Sequence, residues 1–349
     1  MDVYLIKDIS KKSLFKGYGR LKIAIFEQIA VTLCILAAGL LLTGAGLPDG
    51  VALFEKGDYR EARQVLNRAV AEAPDDPQAH FYLGRTCLAL EEALPALPYF
   101  EKAIQLDPEN AAYYFWLGVT HWALLDLDRE LAAYDQALGI DPQFLPAHVY
   151  AGHNQLDRGQ WADALGHYVT VLQAVPAHPE ALYNAGVALK ALDREEEAVA
   201  VWRRYLQHHR AGSLAVDAVR NLNAAGDFSY RAFAVGKRLV VGPSPGFQKS
   251  SLRLDAQLAE TLDEIGRIIQ ANNMLTFQIV TFVLNNPDLA AQRAKKIKDY
   301  ITVNFPEVSL KRMRISWFGQ GEDIQMDGMH YELDASVNLF TVKNGGEVP

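Results

Sequence analysis

The chain has 349 residues, half of them apolar and 22% charged, enough for two or three domains with a substantial core. Its net charge of −8 argues against nucleic acid as a main partner, because phosphate binding needs a basic stripe. The two cysteines, Cys34 in a long apolar run and Cys87 in an expected helix, do not form a disulfide framework.

Ile29 to Leu47 is an uncharged apolar run long enough to cross a bilayer as one helix. Lys7, Lys11, Lys12, Lys16, Arg20 and Lys22 precede it, so the basic flank is expected to stay in the cytoplasm and the rest of the chain to face a periplasm. The expectation is a single-pass inner-membrane protein, with a basic cytoplasmic segment over 1–22 and a transmembrane anchor over 23–47. A cleaved signal peptide with small residues at 43–46 is the alternative. It fits less well with Glu27 and the long basic leader, and would leave a soluble periplasmic protein.

A fixed period follows. Gly50, Gly84, Gly118, Gly152 and Gly186 are each 34 residues apart, as are Pro74, Pro108, Pro142 and Pro176. Leu66, Phe100, Tyr134, Tyr168 and Trp202 make a third column. Ala62, Ala96, Ala164 and Ala198 make a fourth, broken by Glu130. The columns predict five helix–turn–helix units. Gly lets the two helices of a unit approach, Ala sits at helix crossings, the large residue fills the space behind, and Pro ends the second helix. This pattern resembles the tetratricopeptide repeat family. The resemblance implies an all-α superhelix over 48–226, closed by a capping helix near 213–227. It also implies a concave face built by the first helices, with Phe81, Arg85, Leu88, Phe115, Val119, Trp122, Val149, His153, Leu156, Tyr183, Val187 and Lys190 pointing inward. That set is largely apolar and aromatic, and is expected to hold an apolar helix or an extended peptide of an envelope protein. The alternative is that its aromatics pack within the superhelix itself or against the C-terminal domain.

After Gly226 the pattern changes. Residues 227–242 read as a linker and first strand. Leu254, Leu258, Leu262, Ile265 and Ile269 are at helical spacing, and FQIVTFVL is a buried strand. Asn286-Pro287 opens a helix to about Val303, and RMRISWFG and HYELDASVNLFTV are further strands. Asn286, Leu289, Arg293 and Ala294, with the later RISWFGQGE, resemble the OmpA-like peptidoglycan-associated domain, and the resemblance implies an α/β sandwich over 243–349. In that family an Asp before the helix and an Arg on it hold the wall's diamino acid. Arg293, Asn286 and Asp288 are the peptidoglycan contacts this implies. Leu284 stands where the Asp belongs, and the loop after it is short. Two readings follow: a scaffold that binds proteins in the repeat groove, or a wall anchor using this domain.

Nothing in the sequence points to catalysis, a cofactor or a metal. GPSPG at 242–246 has the spacing of a nucleophile elbow, but Pro245 has no N–H for an oxyanion hole and opposes the helix the elbow needs. The nine histidines form no metal set.

Overall fold

The computed structural model describes residues 46–248, 250–326 and 328–343. The expected membrane span therefore lies outside the described residues, apart from Gly46 and Leu47. Leu47 opens the first helix and is buried in the core of the first repeat with Phe54, Ala62, Leu66 and Leu83. Among the described residues no helix is long and apolar enough to cross a membrane. The chain divides into two compact units, Met1–Ala147 and His148–Pro349.

In the first unit, α1 (Leu47–Glu55), α2 (Tyr59–Glu72), α3 (Pro77–Ala89), α4 (Ala93–Leu106), α5 (Ala111–Ala123) and α6 (Leu127–Ile140) form three helical hairpins. α7 (Leu145–Asp157) enters the second unit. There α8 (Trp161–Ala174), α9 (Pro179–Ala191) and α10 (Glu195–His208) complete the fourth and fifth hairpins. α11 (Ser213–Ala224) is the expected cap, packed on α10.

The glycine and bulky columns face each other inside each repeat. A Cβ added to Gly186 would lie 2.3 Å from Trp202, and one on Gly118 2.4 Å from Tyr134, both closer than atoms can approach. The bulky partners Leu66, Phe100, Tyr134, Tyr168 and Trp202 are all buried, and Trp202 also donates its indole N–H to the Tyr183 carbonyl at 3.2 Å. The alanines of the fourth column are fully buried, and so is Glu130 in their place in the third repeat. Each proline stops a helix through the residue before it, which it forces into extended backbone. Ala73, Asp107, Asp141 and Val175, the C-caps of α2, α4, α6 and α8, have φ values of −131°, −142°, −126° and −126°.

Residues 227–242, expected as linker and first strand, form most of a hairpin of β1 (Tyr230–Val235) and β2 (Arg238–Pro243). α12 (Ala256–Ala271), β3 (Leu275–Val283), α13 (Pro287–Asn304), a short 3-10 turn at Leu310–Arg312 and β4 (Met313–Phe318) follow. A second hairpin, β5 (Glu322–Met326) and β6 (Met329–Leu333), leads to β7 (Ala335–Lys343). The main sheet has the order β4-β3-β7, with β3 parallel to β4 and antiparallel to β7. The parallel pair is joined by α13, as a parallel crossover requires. α12 and α13 cover one face, where Leu258, Leu262, Ile265, Ile297 and Ile301 meet Phe277, Ile279, Val337 and Leu339.

Within the second unit the last repeat and the α/β domain share a core. Tyr230 and Val241 of the β1–β2 hairpin pack with Trp202, Val219 and Leu222 of α10 and α11. Arg203 pairs with Asp227, Arg210 with Glu260, and the Tyr230 hydroxyl donates to Gln257 at 2.7 Å.

Candidate functional site

The inward-facing residues divide by unit. In the first, Phe81, Arg85, Leu88, Phe115 and Val119 are buried, and Trp122 is half-buried. Phe81 is spent on Phe100 and Tyr113, with ring centroids 6.1 and 4.9 Å away. Phe115 packs among Trp116, Tyr134 and Phe144, at 5.7, 5.8 and 5.6 Å. The Arg85 guanidinium lies over Phe54 at 4.6 Å and Trp116 at 4.5 Å. Stacking on aromatic faces on both sides suits arginine's weakly hydrated planar charge and ties the first three repeats together. Most of this half of the set therefore packs within the array.

In the second unit the set is more open. Val149 is buried, but His153, Leu156, Tyr183 and Val187 are half-buried and Lys190 is exposed. α7 supplies Val149, His153 and Leu156, and α9 supplies Tyr183, Val187 and Lys190. His153 Nε2 lies 3.7 Å from a Glu180 carboxylate oxygen, and its ring meets Tyr150 and Tyr168. Tyr183 packs edge-on to Tyr205, whose hydroxyl burial pushes up to about 12. Lys190 Nζ donates to Asn221 Oδ1 at 3.3 Å, reaching the cap helix.

In the α/β domain, Arg293 is 3% exposed. It is neither a solvated ion-pair residue nor an open cation. Its Nε donates to the Ser251 carbonyl and its Nη2 to the Gln248 carbonyl, both at 3.2 Å, and the guanidinium lies 4.9 Å from the Phe247 ring centroid. Burial lowers its pKa. The group holds the loop before α12. Asn286 is a helix cap, its Oδ1 accepting from Leu289 N–H at 2.9 Å. Asp288 is exposed in the first turn of α13, where a negative charge suits the helix dipole. Leu284 is 37% exposed.

Three arrangements escaped the sequence reading. The first is a fifth 34-residue column at the turn between the helices of each repeat. Gly57, Glu91, Leu125, Gly159 and Asp193 all have positive φ, at 84°, 64°, 62°, 73° and 58°. Only two of the five are glycine, so composition hid a column that register would have revealed. The second joins β1, β5 and β7. Arg231 Nη1 donates to Glu322 Oε1 at 2.9 Å and also to Asn338, and Arg231 Nη2 lies 2.7 Å from Glu322 Oε2. Burial alone pushes Glu322 up, but its bonds to Arg231 and Asn338 outweigh that and hold the carboxyl below the usual range. These partners are 91 and 107 residues apart from Arg231, beyond any local signal. The third is a histidine pair in the fourth repeat, His148 Nδ1 to His167 Nδ1 at 2.8 Å. Burial, with His148 adding to it, lowers His167 to about 4.

Ser244, the serine of GPSPG, is buried, and its Oγ accepts from Val337 N–H at 3.5 Å. Among the described residues no helix follows it before α12. Among the described residues no three His, Cys, Asp or Glu side chains gather as a metal site.

A family model described as tetratricopeptide repeat matches residues 49–94, 95–143 and 151–215. The helical array is built of tetratricopeptide repeats. Solved structures with similarity to the chain include YrrB, a repeat protein described as having an unusual peptide-binding site. It is 22% identical over 49% of this chain and 88% of its own, with a TM-score of 0.44. PilF of Pseudomonas aeruginosa is 17% identical over 52% and 84%, with a TM-score of 0.48. MamA is 20% identical over 46% and 87%, with a TM-score of 0.42. No curated protein sequence matches the chain. The repeat array is a scaffold for protein–protein interaction, and a small sheet-containing region follows it.

Proposed function

We propose that the protein is a non-enzymatic adaptor of a bacterial cell envelope. Its N-terminal segment is fixed in the inner membrane and its repeats and α/β domain lie on the periplasmic side. Partner segments dock on the first helices of the later repeats. The observation that carries this reading is the half-exposed set His153, Leu156, Tyr183 and Val187 with Lys190 at its edge, on α7 and α9. An apolar strip with one cation at its margin fits an extended or helical segment carrying an acid. A photo-crosslinking residue at position 187 tests it in intact envelopes. One discrete protein adduct, lost when Tyr183 is replaced by Ala, is expected. Absence of any adduct at 187, or an adduct formed as readily from exposed position 169 on α8, overturns it.

The α/β domain is read here as an OmpA-like fold that does not hold wall peptide. Its order, with helices between β2, β3 and β4, supports the resemblance. The occupied guanidinium of Arg293 and the apolar side chain of Leu284 argue against the ligand. A wall diamino acid needs a free fork for its carboxylate and an acid for its ammonium group. The full chain is expected to stay in the supernatant when purified peptidoglycan sacculi are sedimented. Co-sedimentation that is abolished by Arg293→Lys, with thermal unfolding unchanged, would establish the wall-anchoring reading instead.

A further inference from the structure

We infer that the open edge of β4 is a docking site for an extended, acidic segment of a partner protein, added to the sheet as a further strand. This goes beyond the reading of the repeats and stands or falls separately from it.

β3 is paired on both sides, by β4 and β7, so β4 ends its sheet among the described residues. Its outward N–H and C=O groups have no strand partner there. Folded proteins blunt such edges with proline, bulges or a central lysine, because an unpaired edge templates another strand. β4, Met313–Phe318, has no proline, bulge or lysine, and its one charged side chain, exposed Arg314, disfavours a cationic strand rather than an acidic one. It runs in unbroken register from Phe277↔Met313 to Phe282↔Phe318.

Its carboxyl end also exposes aromatic surface. Trp317 is 47% and Phe318 42% exposed. Phe318 stacks on Phe282 with centroids 5.0 Å apart and planes 17° from parallel, and Leu284 lies just beyond Phe282 in the chain. Exposed aromatics beside a free edge are the anchors that strand addition uses for side-chain specificity, while the main chain supplies hydrogen bonds.

Charge selects the occupant. Residues 309–318 hold Lys311, Arg312 and Arg314 and no acid, in a chain whose net charge is −8. Arg312 is consumed by the carbonyls of Ile269, Asn272 and Leu275. Lys311 and Arg314 are exposed. α13, which packs against β4, adds exposed Lys295 and Lys296 and half-buried Lys298, against two exposed acids, Asp288 in its first turn and Asp299. Two such edges meeting would bring like charges together, so a second copy is the poorer occupant. An acidic strand with alternating apolar side chains is complementary in both charge and surface.

The test uses the full chain and two synthetic decapeptides, one alternating Glu and Val and one alternating Lys and Val. The readout is hydrogen exchange across residues 313–318, with β3 as the internal check on folding. The acidic peptide is expected to slow exchange in β4 at least tenfold, with an effect that fades as salt rises. The basic peptide should leave β4 unchanged. Arg314→Glu with Lys311→Glu should reverse the preference, and Trp317→Ala should weaken both. The proposal is overturned if the acidic peptide does not slow β4 at millimolar concentration, or if the charge-reversed variant binds it equally well. It is also overturned if the outward amides of β4, those not bonded to β3, are already protected without peptide. Protection independent of protein concentration would assign the edge to another segment of this chain, and protection that grows with concentration would assign it to a second copy.

Discussion

The repeats and the α/β domain hold together by different means. In the repeats, specificity is local and copied. A glycine on one helix admits a large side chain from the next, sixteen residues on, and the same solution recurs every 34 residues. In the α/β domain, specificity is distant and single. Arg231, Glu322 and Asn338 come from three strands that meet nowhere else in sequence. The local device is steric and apolar, while the distant one is ionic and buried. The first tolerates variation in its bulky member from Leu to Trp. The second depends on every partner, since a buried charge without its counter-charge is far more costly than a missing methyl group.

The largest expected effect comes from breaking the ionic device. Glu322→Ala leaves Arg231 buried without its counter-charge, and should cost about 3–5 kcal/mol of stability by chemical denaturation. The pair also has a pH signature. Because the folded Glu322 carboxyl lies below its ordinary 4.5, its contribution is complete above that value and is lost as pH falls further. Thermal melts of wild type and the Glu322→Gln variant should converge in that acid range.

Breaking the steric device should cost somewhat less. Gly186→Ala places a methyl group against the Trp202 indole and should destabilise by about 1–3 kcal/mol. Gly166→Ala, in α8 with open space around the new carbon, is the sharpening control. It should instead stabilise by about 0.5–1 kcal/mol, because alanine is the better helix former. If both glycines respond alike, the column is not a packing device.

A smaller gain should come from the turns. Leu125 is 62% exposed and holds φ at 62°, a conformation that strains a branched side chain. Leu125→Gly should stabilise the third repeat by about 1 kcal/mol, read from the denaturation midpoint. The histidine pair gives the finest test. His167 is held near 4, below its ordinary 6.5, so the unfolded chain takes its proton first. Stability should be complete above about 6.5 and decline as pH falls towards 4. His167→Gln should flatten that slope.

The same contrast decides what could be read before any coordinates. The repeat columns were legible because steric rules repeat: Gly against a large residue, Pro after a helix. The left-handed turn column was not, since Glu91, Leu125 and Asp193 occupy it despite the strain and carry no glycine signal. The inward set followed from the family resemblance, yet the resemblance could not tell that Phe81 and Phe115 are used up by neighbouring rings while Tyr183 and Val187 are only half-buried. Arg293 fell on the helix where the motif placed it. Its engagement by Gln248 and Ser251 depends on a loop more than forty residues away, which no motif specifies.

The common core of α10, α11 and the β1–β2 hairpin bears on how the molecule would carry force. A boundary drawn near Gly226 marks a change of pattern, but Trp202, Leu222, Tyr230 and Val241 lie in one cluster across it. Tension applied to the α/β domain would pass into the fifth repeat without a slack tether to absorb it. A partner gripping the last repeats and one gripping the sheet would then pull on the same rigid splice.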